Sequence, residues 1–144
     1  MNSFIKSILI LTVAAFSATA LNAQVMDINN KQQKVVFQLS NNDTVVHKSL
    51  VRQLNNLLKA TPDIKIEVVT HGPGVEFLSG NTSFKNNIET FHQKGIAFLI
   101  CRNTLTEKKI DANTLLSLGK IIPAGIAHII TRQSEGWSYI KAGF

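Results

Sequence analysis

The chain has 144 residues, with 15 Lys and Arg against 9 Asp and Glu, 44% hydrophobic residues and a single cysteine. That length holds one small domain, and the basic excess is scattered, with no like-charge run or basic-aromatic stripe, so nucleic acid is not an expected partner. One cysteine closes no internal disulfide, and the absence of C-x-x-C excludes a thioredoxin-type dithiol.

The first 23 residues read as a secretory signal peptide. Lys6 supplies the positive start and Ile8 to Phe16 the apolar core. Ala18-Thr19-Ala20, or Ala23 before Gln24, supplies the small residues of a cleavage site. The run is shorter than the about 20 apolar residues needed to span a bilayer. No cysteine stands in the signal to take a lipid. The expectation is an exported protein, periplasmic or secreted, free of the membrane after cleavage. Removing Lys6 leaves 14 basic residues against 9 acidic, a net charge of +5. Residues 24–33 are a flexible polar leader, and residues 34–144 form the domain.

Lys34 to Ser40 is β-branched and apolar and predicts a first strand. Asn41-Asn42-Asp43 offers turn and cap chemistry, and Val46, Leu50, Leu54, Leu57 and Leu58 then recur at helical spacing as far as Thr61-Pro62-Asp63. Ile64 to Val69 is a second strand, whose alternation predicts one less buried face or a place nearer an edge. His71-Gly72-Pro73-Gly74 follows as a tight turn where backbone can approach a ligand, and Val75 to Leu78 can make one helical turn. Phe84, Ile88 and Phe91 mark the buried stripe of the next helix, with Gly95 as its terminator.

Gly95-Ile96-Ala97-Phe98-Leu99-Ile100-Cys101 is a short unbroken apolar run, which suits an interior strand buried on both faces. Cys101 then stands at the carboxyl end of that strand, the edge where open α/β sheets bind ligands. After a polar stretch, Asp111 can cap a short helix carrying Leu115, Leu116 and Leu118. Ile121-Ile122 is a brief strand. Pro123 opens a last helix with Ile126, Ile129 and Ile130 as its core face, and Gly136 closes it before a final strand, Trp137 to Ile140. Trp137 and Tyr139 are expected to share one packed face of that strand. The alternation of strands and helices predicts an α/β fold with a mostly parallel five-stranded sheet covered on both faces.

His47, His71, His92 and His128 are widely separated and form no metal-ligand spacing, so neither a metal nor a cofactor is expected.

Four segments together resemble the DsrE/DsrF-like family of small sulfur-relay proteins. They are Val69-Thr70-His71-Gly72-Pro73-Gly74, Cys101-Arg102-Asn103-Thr104-Leu105, Ile122-Pro123-Ala124-Gly125-Ile126-Ala127 and Gln133 to Lys141. The resemblance covers nearly the whole mature chain. It implies a three-layer α/β/α fold and ring-like oligomers. In sulfur-transferring members it also implies one cysteine after a central strand that carries sulfur as a persulfide, and Cys101 matches that position. Members of that kind work inside the cell, toward tRNA modification or sulfur oxidation. An export signal sets this chain apart and argues against tRNA thiolation.

A thiolate is the nucleophile in such chemistry, and a helix N-terminus or a nearby cation lowers a thiol's pKa. Arg102 is the adjacent cation, and a helix beginning after Thr106 would aim its dipole at the sulfur. Asn103 and Thr104 can donate hydrogen bonds to a sulfur anion or serve as caps. His71, Gly72, Pro73 and Gly74 would form the opposite wall, with His71 as a proton donor or a turn-stabilising residue. Two functions stay open at this point. One is a sulfur carrier or sulfurtransferase acting through Cys101, with a separate protein as sulfur donor or acceptor. The other is a non-catalytic oligomeric binding module with a buried cysteine. In either case the expected assembly is a homo-oligomer, a trimer or a hexamer.

Overall fold

The computed structural model describes residues 32–143, and the compact unit begins at Gln33. The signal peptide and most of the leader lie outside the described residues. Five strands alternate with helices along the chain. They are β1 (Lys34–Leu39), β2 (Lys65–Thr70), β3 (Ala97–Cys101), β4 (Lys120–Ile122) and β5 (Ser138–Lys141). The helices are α1 (Thr44–Ala60), α2 (Lys85–Gln93), α3 (Arg102–Lys108) and α4 (Gly125–Ser134), with 3-10 turns at Gly72–Leu78 and Ala112–Thr114. Every neighbouring strand pair is parallel, in the order β4-β3-β2-β1-β5.

That order fixes the layers. From β1 to β4 the chain steps across the sheet in one direction, so right-handed crossovers place α1, α2 and α3 on one face. The step from β4 to β5 runs back across the whole sheet and places α4 on the other. The main core follows on the first face: Val35, Phe37, Leu39, Ile66, Val68, Phe98 and Ile100 of the strands meet Val46, Leu50 and Leu54 of α1 and Ile88 and Phe91 of α2. The alternate strand residues Val36, Val69, Leu99 and Ile122 form a smaller core with Ile129 and Trp137 under α4. Fold class and architecture are thus those read from the sequence, a three-layer α/β/α arrangement with a five-stranded parallel sheet.

Several local readings change. The alternation in β2 does not mark an edge, because β2 is the middle strand of the sheet and its polar Glu67 is buried under α4. α3 begins at Arg102, directly after Cys101, and not after Thr106. No helix carries Leu115 to Leu118. Asp111 instead caps a 3-10 turn, and the Leu116 N–H donates to the Leu78 carbonyl at 2.8 Å. Pro123 precedes α4 without entering it, since Ala124 is the cap residue. Of the three isoleucines assigned to the inner face of α4, only Ile129 is buried, while Ile126 and Ile130 are 49% and 58% exposed. Trp137 is buried but lies just before β5, and Tyr139 is exposed. Among the described residues, no helix is long and apolar enough to cross a membrane.

Candidate functional site: a thiol at the carboxyl edge

The connections leaving β3 and β4 run to opposite faces of the sheet, α3 to one and α4 to the other. Parallel sheets open a crevice between neighbouring strands whose connections diverge in this way. Cys101 ends β3 at that point and acts as the cap residue of α3. Its side chain points to the α4 face. The Gly125 N–H, the first of α4, donates to Cys101 Sγ at 3.2 Å. A methyl group added at Gly125 would lie 3.2 Å from Val69 Cγ1, 3.3 Å from Cys101 Cβ and 3.4 Å from His71 Cβ. A residue without Cβ therefore lets the helix terminus sit directly on the sulfur.

The thiol is buried, with 6% of Cys101 exposed. Burial pushes its pKa up, but hydrogen bonds from the Gly125 N–H, from the N–H and hydroxyl of Thr104 and from the Asn103 N–H outweigh it and bring it below the usual thiol value. Both helix N-termini, α3 and α4, thus present donors to one sulfur. Thr104 is itself fixed, because its hydroxyl oxygen accepts the Gly72 N–H at 2.9 Å. That bond ties the turn after β2 to α3.

Of the residues expected here, Cys101, Thr104, Gly72 and His71 are brought together. The Arg102 and Asn103 side chains are exposed, and the donors that lower the thiol are N–H and hydroxyl groups, not the guanidinium. Gly74 approaches protein and not a ligand, since a Cβ there would fall 2.2 Å from the Leu39 carbonyl oxygen. Gly72 and Pro73 face a cleft of about 310 Å³ that also takes in Glu76, Lys108 and Leu115 but not Cys101. Burial lowers the pKa of His71, which favours neutral imidazole. The sequence reading missed Gly125 as a site residue, although it follows Ile122-Pro123-Ala124 at another strand's carboxyl end, the same signal that pointed to Cys101. Among the described residues, no three His, Cys, Asp or Glu side chains cluster as metal ligands.

A second polar group lies under the same helix. Glu67 accepts from Arg132 Nη2 at 2.8 Å and Nε at 2.9 Å and is hydrogen-bonded to His128 at 2.7 Å. Arg132 also pairs with Glu135 at 2.7 Å and lies 4.8 Å from the Trp137 ring centre. This network latches α4 to the middle of the sheet and so holds Gly125 over the thiol.

These features define a class: a small three-layer α/β protein that presents one thiol in a cradle of helix N-termini at the edge of a parallel sheet. The sequence model of the DsrE/DsrF-like family matches residues 33–142, and the chain belongs to that family. The fold matches MTH1491 from Methanobacterium thermoautotrophicum, a protein of unknown function, with a TM-score of 0.74 and 30% identity over 76% of this chain and 99% of that one. It also matches BT1422 from Bacteroides thetaiotaomicron, likewise of unknown function, with a TM-score of 0.64 and 16% identity over 76% of this chain and 94% of that one. For the ychN protein of E. coli the TM-score is 0.63 and the identity 10%, over 77% of this chain and 99% of that one. The latter two likenesses concern the fold alone. No curated protein matches the sequence.

Proposed function

We propose that the protein is an exported sulfur carrier that holds a persulfide on Cys101. The observation that carries this reading is the set of donors converging on one sulfur, the Gly125 N–H at 3.2 Å and those of Thr104 and Asn103. Such a cradle stabilises a sulfur anion without a catalytic base. In loading, the Cys101 thiolate attacks the outer sulfur of a donor persulfide, R–S–SH. The new S–S bond forms on Cys101, the donor's S–S bond breaks, and its electron pair leaves as the donor thiolate. In discharge, an acceptor thiolate attacks the outer sulfur and Cys101 leaves as thiolate. Both steps are redox-neutral, and the donor and acceptor are separate molecules. The protein works as a homo-oligomer, a trimer or a hexamer. Ile126 and Ile130 of α4 are exposed large apolar side chains and supply apolar surface for association. Export keeps the function away from tRNA.

The non-catalytic binding module has an observation of its own, the low exposure of the thiol. One experiment separates the two readings. The mature protein is incubated natively with polysulfide and weighed intact. A carrier gains one sulfur that reduction removes and that Cys101→Ser never acquires. A protein that reacts only after denaturation is the binding module.

A further inference from the structure

A polar row slants across the sheet on the α4 face and ends at the carboxyl edge. Thr70 stands opposite Ile100 in the β2–β3 ladder, so His71 and Cys101, each one residue further on, occupy adjacent places on neighbouring strands. Both Cβ atoms flank Gly125. On the other side of His71, Gln38 of β1 reaches across, its amide nitrogen 2.7 Å from His71 Nε2. The Gln38 amide oxygen in turn accepts the hydroxyl proton of Tyr139 on β5. The row therefore reads Tyr139 of β5, Gln38 of β1, His71 directly after β2, and Cys101 of β3.

The direction of these bonds fixes a proton. A phenol hydroxyl donating to the amide oxygen turns the amide nitrogen toward His71, and an amide nitrogen only donates. His71 Nε2 must then accept, which leaves the ring proton on Nδ1. We propose that Gln38 and Tyr139 are positioning residues. They hold His71 as the neutral Nδ1–H tautomer, so that it serves the outer sulfur of a Cys101 persulfide as a hydrogen-bond donor and not as an acid or base. The consequence at sulfur rests on the carrier reading, whereas the tautomer does not. A persulfide extends one S–S bond beyond Cys101 Sγ, past the N–H donors that serve the inner sulfur, and its anion needs a donor of its own. A neutral imidazole gives that donor without holding a proton that the departing thiolate would take.

The tautomer is read from long-range 1H–15N spectra of the native protein, in which protonated and unprotonated ring nitrogens are well separated. Wild type is expected to show His71 with Nδ1 protonated. Gln38→Glu offers only acceptors and moves the proton to Nε2, and Tyr139→Phe frees the amide to turn and gives a mixture. Loading of Cys101 by polysulfide should slow roughly tenfold in Gln38→Glu, the scale of losing one hydrogen bond to a charged group. It should slow less in Tyr139→Phe, and both variants should keep native melting curves. A wild-type His71 protonated on Nε2 overturns the proposal. So does a tautomer shift in both variants with no change in loading rate. If wild type takes up no sulfur at all, the carrier reading falls, and the nitrogen shifts still decide the tautomer.

Discussion

Arg132 grips Glu67 with two nitrogens, Nε on one carboxylate oxygen at 2.9 Å and Nη2 on the other at 2.8 Å. The pair joins α4 to the central strand, on a face where that helix has few apolar contacts. Burial alone would raise the pKa of Glu67, but the bonds from Arg132 and His128 outweigh it and hold the carboxyl below its usual value. A group with a depressed folded-state pKa stabilises the fold above its unfolded pKa, about 4.3 for Glu, and loses that contribution as pH falls toward the folded value. Glu67→Gln should therefore cost about 1–3 kcal/mol at pH 7. The gap from wild type should close on acidification below about pH 4. Denaturant unfolding of both proteins at pH 7 and across the acid range measures it, and a gap that widens in acid would contradict the latch.

Cys101 should alkylate with a midpoint below the ordinary thiol value of about 8.5. Thr104→Val removes the hydroxyl that donates to the sulfur and accepts the Gly72 N–H, so the midpoint should rise. The pH dependence of the iodoacetamide rate on the native proteins decides it.

Gly125→Ala should disturb the sulfur more than the fold. The new methyl would meet Val69, Cys101 and His71 at 3.2–3.4 Å, so α4 must move a few tenths of an ångström off the thiol. The expected stability loss is about 1 kcal/mol. The thiol midpoint should rise and polysulfide loading should slow. An unchanged midpoint would remove the Gly125 N–H from the cradle.

Trp137→Ala should cost about 3–5 kcal/mol. The ring is buried beside Ile129 and carries Arg132 on its face at 4.8 Å, with Lys65 Nζ 5.5 Å from its centre. A loss under about 1 kcal/mol in chemical denaturation would place the indole on open surface.

Light scattering of the mature protein at micromolar concentration should give a trimer or a hexamer. A monomer would contradict the proposed assembly.

The sequence was most legible where one face of an element carried the whole signal. Val46, Leu50 and Leu54 of α1, and Phe84, Ile88 and Phe91 around α2, meet the main core at the expected spacing. Cys101 was legible for the same reason, as the end of an unbroken apolar strand. The face under α4 was harder to read because its inward row is partly polar. His128 and Arg132 turn inward only because Glu67 waits there, 61 and 65 residues away in sequence, and no local spacing encodes that pairing. Ile126 and Ile130 looked like core from periodicity, yet a helix alone on its layer buries only a narrow stripe. The leucines after Asp111 failed differently. Their backbone pairs with the end of the earlier 3-10 turn, as the Ser79–Leu115 bridge shows, and long-range contact overrode helical propensity.

The return run across the sheet sets the order in which the site comes into being. Strands β1 to β4 and the sulfur itself are complete by Ile122, but the N–H that Gly125 gives to Cys101 arrives only when the last segment docks. Among the described residues that docking closes the longest loop between paired strands, joining Val35 to Ser138. Contacts this far apart in sequence are costly in loop entropy and tend to form late. A chain that has not yet docked this segment therefore lacks the Gly125 donor, and its thiol is closer to ordinary acidity. The full set of donors around the sulfur is a property of the finished molecule, completed by the final stretch to fall into place.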